Sequence, residues 1–230
     1  MKTILSLVML LLITCAAQAQ RDITTFLGIP VDGYLNEMRE NLMNKGFAPV
    51  PGEEFLVGEY NGEDVHVYID TYNNKVYRIA LVDADSQDPE GIKSRFNKLV
   101  QQFDNNDRYV GDKERQDIPE HEDIVVGMRD KEETYQAEFY QIPDVEMLEG
   151  LQEHVAQECI KQLSERGYGE PSEEELHNAI KESMEEIALE IMKKKSVWFR
   201  IMSDKPGEFY IAMYYDNEFN KSSEANGEEL

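Results

Sequence analysis

Three aspartates stand close together in the segment VDADSQDPEG (82–91), and their spacing resembles the first half of a calcium-binding loop. A calcium loop that began at Asp83 would need glycine at its sixth position and glutamate at its twelfth. Those positions hold Asp88 and Ser94, so the calcium interpretation fails at both. Asp88 directly precedes Pro89, an arrangement typical of a helix N-cap and the first helical residue. We therefore predict that Asp88 caps a helix and that the aspartates bind no metal.

The other residues that could do chemistry form no recognisable catalytic or metal-binding pattern. The four histidines do not fall in H-E-x-x-H, and the chain has no P-loop, dinucleotide glycine pattern or G-x-S-x-G. The run His121-Glu122-Asp123 lies in a charged segment without further ligands at metal-site spacing. With 47 acidic residues, no carboxylate pair can be singled out for general acid–base work. We predict no catalytic residue, no metal site and no cofactor.

The most distinctive candidate for a binding surface is a predicted three-stranded antiparallel meander. Its strands are EFLVGEY (54–60), EDVHVYIDT (63–71) and KVYRIALVD (75–83), and its turns are Asn61-Gly62 and Asn73-Asn74. A two-residue second turn would mix apolar and polar side chains on both faces. A three-residue loop from Asn73 to Lys75 shifts the pairing by one residue, and one face becomes wholly apolar. We adopt this second register, which pairs Ile69 with Ile79 and Asp70 with Arg78.

The opposite face of this meander then carries His66, Tyr68, Asp70 and Arg78 beside two apolar residues, Phe55 and Val57. We predict the first four as binding residues, because aromatic and arginine side chains anchor many protein interfaces. The alternative is that this face packs against the second half of the chain.

The order of predicted elements indicates the fold class. Helix and strand patterns follow one another as α-β-β-β-α and then β-β-α-α-β-β, and the strands come in hairpins. The second series opens with predicted strands at DIVVGMRD (123–130) and TYQAEFYQI (134–142). This order predicts an α+β fold in which helices pack on an antiparallel sheet. Ser172 and Glu175 form a capping-box pattern before a late helix. Cys159 lies on the apolar stripe of the helix before it, so we predict a buried, inert thiol there.

Composition shifts suggest the domain organisation. We predict an α-β-β-β-α subdomain over 20–108, a charged linker over 109–123, the remaining elements over 124–215, and a polar tail over 216–230. The sequence leaves open whether the two halves share one sheet or form two domains.

The N-terminal segment predicts export. Lys2, a short apolar run and the sequence Ala17-Gln18-Ala19 form a secretory signal peptide over residues 1–19, and the run is too short to span a bilayer. The alternative is a lipid anchor on Cys15. We expect a periplasmic or secreted protein that is peripheral to the membrane at most.

The net charge of −24 limits the partners. A chain this acidic repels phosphate backbones, so we expect no nucleic-acid partner. An envelope protein or a cationic ligand is the expected class of partner.

Three patches resemble a group of exported, uncharacterised proteins of Gram-negative gut-type bacteria: FLGIPVDG (26–33), NKVYRI (74–79), and YYDN (214–217) with NGEEL (226–230). The resemblance implies a periplasmic or surface location and implies no activity. A helix followed by an antiparallel meander is also similar to periplasmic modules of the β-lactamase-inhibitor type, a likeness of fold alone. The sequence therefore predicts a non-catalytic binding protein of the envelope. The alternative is an envelope hydrolase with a carboxylate-based site.

Overall fold

The computed structural model describes residues 22–113, 116–165 and 172–221. The chain divides into two compact units. The larger comprises the described residues of 23–142 and 194–221 and is built on an antiparallel sheet of eight strands. The smaller includes residues 143–193, which contain two long helices. The fold class is α+β, as predicted.

The strands of the larger unit are β1 (Thr25–Phe26), β2 (Ile29–Pro30), β3 (Ala48–Pro49), β4 (Leu56–Tyr60), β5 (Glu63–Tyr72), β6 (Lys75–Asp83), β7 (Tyr109–Gly111), β8 (Gln136–Gln141), β9 (Ser196–Lys205) and β10 (Glu208–Asp216). Its helices are α1 (Leu35–Asn44), α2 (Pro89–Asp104), α3 (Ile124–Asp130) and α6 (Glu218–Lys221). The smaller unit contains α4 (Val145–Glu165) and α5 (Glu173–Met192).

The main sheet has the strand order β3-β4-β5-β6-β10-β9-β8-β7, and β1 pairs with β2 in a separate ribbon. The central contact is the antiparallel pair of β6 and β10, which come from opposite halves of the chain. The two halves therefore share one sheet.

The predicted register of the meander is confirmed, although the turn that sets it differs from the prediction. Ile69 pairs with Ile79, and Asp70 pairs with Arg78. The turn contains only Asn73 and Asn74, both with positive φ (48° and 63°), as a type I′ hairpin turn requires. The one-residue shift comes from a bulge, because Thr71 pairs with Val76 and leaves Tyr77 as the extra residue.

One face of the sheet forms the core of the larger unit. A row of buried apolar residues crosses it on successive paired strands: Leu56, Val67, Leu81, Met213, Phe199 and Ala137. Helices α1 and α2 bury their apolar stripes in the same cluster. The rings of Phe96 on α2 and Phe199 on β9 meet edge-on at 5.1 Å. Burial of this apolar surface is the main driving force for packing the helices on the sheet.

The end of α1 shows how the chain passes from this helix to the sheet. Gly46 has a φ of +104°, which a glycine adopts without strain, and the N–H of Phe47 donates to the carbonyl of Leu42. The Phe47 ring then lies against Gly58 on β4, where an added Cβ would approach the ring to 2.5 Å. The absence of a side chain at residue 58 therefore makes room for the ring.

The prediction of a strand at DIVVGMRD (123–130) is wrong, because residues 124–130 form α3. The β-branched run Ile124-Val125-Val126 favours a strand locally. The Asp123 side chain, however, accepts hydrogen bonds from the N–H groups of Val125 and Val126, which caps a helix start. The edge of β8 that such a strand would need is occupied by β7.

The segments predicted as a charged linker and as a polar tail both contain buried residues. Strand β7 and the buried Ile118 lie inside 109–123, the segment predicted as a charged linker. Asp216 and Asn217, at the start of the predicted polar tail, are each only 1% exposed. The predicted signal peptide, Cys15 and residues 222–230 lie outside the described residues.

The two helices of the smaller unit pack on each other. Val155 and Cys159 on α4 meet Ile187 and Ile191 on α5 in a separate apolar cluster. The Cys159 thiol is buried, as predicted, and its sulfur lies 3.7 Å from the Ser183 hydroxyl oxygen. No helix in the described ranges is long and apolar enough to cross a membrane.

Candidate functional site

The face of the sheet opposite the core carries aromatic and charged side chains. Two rows cross it on successive paired strands. The first is Tyr68, Ala80, Tyr214, Trp198 and Glu138, and the second is His66, Val82, Ala212, Arg200 and Gln136. We call this surface the aromatic face and define it by Tyr68, Arg78, Trp198, Arg200 and Tyr214. Tyr68 is 37% exposed, and the other four are half-buried.

Asp216 organises the centre of the aromatic face. Arg78 donates to both oxygens of its carboxylate, from Nε at 2.5 Å and from the terminal nitrogen at 2.7 Å. Trp198 donates from Nε1 to Oδ2 of the same carboxylate at 3.0 Å. The hydrogen bonds from Arg78 to Asp216 are the largest of the effects that hold the pKa of the Arg78 guanidinium above its usual range. The buried carboxylate therefore fixes the position of both side chains.

Trp198 and Tyr214 form a stacked pair beside this ion pair. Their ring centroids are 4.1 Å apart at an interplanar angle of 23°. The Arg78 guanidinium lies 4.8 Å from the Tyr214 ring centroid and 5.6 Å from that of Trp198. Cation–π attraction and the bidentate ion pair thus act on one guanidinium.

Arg200, on the other side of Trp198, has no such partner. Its guanidinium carbon lies 5.8 Å from the Trp198 ring centroid. Its Nε is buried and has no hydrogen-bond partner, and the side chain forms no ion pair with a described residue. In this it differs from Arg78 and from Arg95, which pairs bidentately with Asp83 at 2.6 and 2.7 Å.

The four residues predicted as a binding surface all lie on this side of the sheet. Tyr68 and His66 each contact the Phe55 ring, at centroid distances of 5.4 and 4.5 Å. Arg78 faces Asp70 across the strands but forms its hydrogen bonds with Asp216, a residue that sequence reasoning assigned to the tail. Trp198, Tyr214, Arg200 and Asp216 were all missed as site residues. The alternation of apolar and polar residues in VWFRIMS (197–203) and EFYIAMYYD (208–216) could have placed these four side chains on one face of a hairpin. It could not have predicted that this hairpin pairs with β6.

Asp70 is a partly buried carboxyl group on the same side of the sheet. Partial burial raises the pKa of its carboxyl above the usual range, although Arg78 acts in the opposite direction. The negative charge of Asp216 adds to the rise. The carboxylate of Asp70 is therefore less favourable in the folded protein than in water.

Two of the three aspartates of the opening motif, Asp83 and Asp88, have structural partners. Asp83 accepts two hydrogen bonds from Arg95 and one from the N–H of Ile211, which links α2 to the sheet. Asp88 accepts a hydrogen bond from the N–H of Gly91 at 2.7 Å and caps α2. Ser172 forms a capping box with Glu175 at the start of α5.

An acidic cleft near the starts of α2 and α3 is a candidate for a carboxylate-based catalytic site. Its volume is 490 Å³, and its charged lining residues include Asp88, Glu90, Lys93, Glu120, Glu122 and Asp123. Asp88 and Asp123 are occupied as helix caps. The buried Lys93 ammonium donates to the carbonyls of Glu120 and Glu122 at 2.7 and 3.1 Å. Asp88, Asp123 and Lys93 thus have structural roles in this cleft, and its lining also includes His121.

No group of three or more histidine, cysteine, aspartate or glutamate side chains in the described part of the chain is arranged to hold a metal ion. In comparisons with protein-family models, with curated proteins and with solved structures, nothing matches this chain. The geometry of the site itself is therefore the basis for a proposed function.

Proposed function

We propose that this is an exported, soluble, non-catalytic binding protein of the bacterial envelope that holds a protein partner on the aromatic face. The observation that carries the proposal is the grouping of Trp198, Tyr214, Tyr68 and two arginines on one face of the sheet. Tryptophan, tyrosine and arginine are the residue types most enriched among energetic hot spots of protein interfaces.

The dimensions of the aromatic face favour a protein over a small molecule. The row from Tyr68 to Glu138 crosses five strands, or about 19 Å at roughly 4.8 Å per strand. Small ligands prefer concave pockets that enclose most of their surface. The acidic cleft is lined by residues of other elements, so it does not belong to this face.

Trp198 on the aromatic face is held in place by other side chains before a partner binds. Trp198 is fixed by its hydrogen bond to Asp216 and by stacking on Tyr214. A side chain that is already ordered loses little conformational entropy on association, and this increases affinity. The net charge of −24 favours a partner whose surface around the contact is basic.

Quantitative capture from envelope extract tests the proposal. Immobilised wild-type protein is compared with Tyr68→Ala and with Tyr34→Ala as a matched control. Tyr34 is 57% exposed at the start of α1, outside the aromatic face. Loss of a captured partner with Tyr68→Ala and its retention with Tyr34→Ala is the expected result. Equal capture by all three proteins, each with the wild-type circular dichroism spectrum, would contradict the proposal.

A further inference from the structure

Arg200 is an exception among the half-buried and buried arginines of the larger unit. The chain has 47 acidic and 23 basic residues, so an arginine meets a carboxylate easily. Arg78 and Arg95 both do so bidentately. The Arg200 side chain forms no ion pair or hydrogen bond with any described residue, and its buried Nε lacks an acceptor.

Arg200 is half-buried, and its neighbours on the adjacent strands leave its guanidinium unpaired. Its cross-strand neighbours are Ala212, which has a single methyl group, and the exposed Gln136. Glu138, diagonally adjacent, accepts a hydrogen bond from the Tyr140 hydroxyl at 3.1 Å and does not pair with Arg200. The Trp198 ring lies against one side of the guanidinium, 5.8 Å from its carbon to the ring centroid.

We propose that Arg200 receives a single carboxylate side chain of the protein partner. This inference rests on the proposed function, because it names the group that the partner presents to the aromatic face. A guanidinium that is desolvated on one side by an aromatic ring binds a carboxylate through two parallel N–H···O bonds. The planar ring of Trp198 beside it favours an aromatic or apolar side chain next to that carboxylate.

The overall negative charge of the chain does not oppose such a contact. Interactions between exposed charges are largely screened beyond about 8 Å at physiological ionic strength. A carboxylate in direct contact with Arg200 instead forms charge-assisted hydrogen bonds at short range. A partner surface that is basic around the contact and presents one carboxylate to Arg200 therefore suits both the acidic chain and the unpaired guanidinium.

Trp198 provides a direct optical probe because it is the only tryptophan in the chain. The experiment titrates the full-length protein with phenylacetate and with its neutral isostere phenylacetamide, and follows Trp198 emission. A charged hydrogen bond should make phenylacetate saturate at a concentration roughly tenfold lower or more. Arg200→Gln should abolish this preference, and Arg200→Lys should retain part of it.

Several outcomes would overturn the inference. They are equal responses to the two probes in wild type, a preference that survives in Arg200→Gln, or tighter binding of phenyl phosphate than of phenylacetate. Urea unfolding of each variant serves as the folding control. If Tyr68→Ala loses the captured partner while Arg200→Gln retains it fully, the inference fails and the proposed function stands. If Tyr68→Ala and Arg200→Gln both capture as wild type does, both are wrong.

Discussion

The buried Asp216 carboxylate is contacted by two side chains, and these contacts fix the positions of Arg78 and Trp198 on the aromatic face. The carboxylate is nearly inaccessible to solvent and accepts hydrogen bonds from Arg78 and Trp198. Arg78 therefore has a mainly structural role, and its side chain is only 19% exposed. Tyr68 and Arg200 are the better residues for testing binding, because their substitution leaves this ion pair intact.

Replacement of Arg78 by methionine should leave the buried Asp216 carboxylate without its counter-ion. Breaking a buried pair by removing one partner costs about 3–5 kcal/mol, and we expect the lower end because Arg78 is half-buried. Urea unfolding followed by circular dichroism measures the loss. The matched control is Arg129→Met, which breaks an exposed pair with Asp130 and should leave the unfolding midpoint unchanged. Equal effects of the two substitutions would contradict the structural role of Arg78.

Protonation of Asp70 should make the free energy of unfolding depend on pH. Because burial raises the pKa of its carboxyl in the folded state, the folded protein holds this proton more tightly than the unfolded chain. Its contribution to stability is therefore largest at low pH and is lost as the pH rises through the raised pKa. Asp70→Asn should increase the free energy of unfolding at pH 7 more than at pH 3.5. A decrease at pH 7 would show that the attraction to Arg78 outweighs burial.

At the scale of elements, most of the correct predictions came from interactions between residues that are close together in the sequence. The Asn61-Gly62 turn, the cap at Asp88 and the capping box at Ser172 follow from residues close together in the chain. The register of the meander follows from its apolar face, although its second turn has two residues and a bulge in place of the predicted three-residue loop. Residues 124–130 show the limit, because their β-branched pattern favours a strand whose place beside β8 is taken by β7.

The cap at Asp88 offers a test at this scale. Asp88→Ala removes the acceptor for the N–H of Gly91 and should reduce the free energy of unfolding by about 1 kcal/mol. The neighbouring exposed Asp85 is the control, and Asp85→Ala should change stability by no more than about 0.5 kcal/mol. Calorimetric titration of the wild type with calcium should give no binding heat. A micromolar calcium affinity abolished by Asp88→Ala would show that the cap is not the main role of this residue.

At the scale of the whole molecule, the candidate site depends on contacts that no local pattern predicts. The pair of β6 and β10 brings Arg78 to Asp216 across 138 positions of sequence. The predicted domain boundaries followed charge and composition, whereas the sheet joins both halves of the chain. Sequence reasoning therefore identified one part of the aromatic face and missed the part contributed by β9 and β10.

The connection between β8 and β9 predicts that the larger unit folds without the two long helices. The strands are antiparallel neighbours, and the N–H of Gln141 donates to the carbonyl of Lys195 at 3.0 Å. Replacement of residues 143–193 by a short Asn-Gly turn should therefore preserve the sheet. The shortened protein should show cooperative urea unfolding and wild-type Trp198 emission. A molten or aggregated product would show that the larger unit depends on the helices.

Site-specific photo-crosslinking in the intact cell tests the central claim most directly. A photoreactive phenylalanine analogue is placed at residue 68 on the aromatic face or at residue 34 as the control, since both natural residues are exposed tyrosines. The proposed function predicts a discrete crosslinked protein from residue 68, absent from residue 34 and lost when Trp198→Ala is added. Identical crosslinking patterns from the two positions, or none from residue 68 in a folded and exported protein, would contradict it.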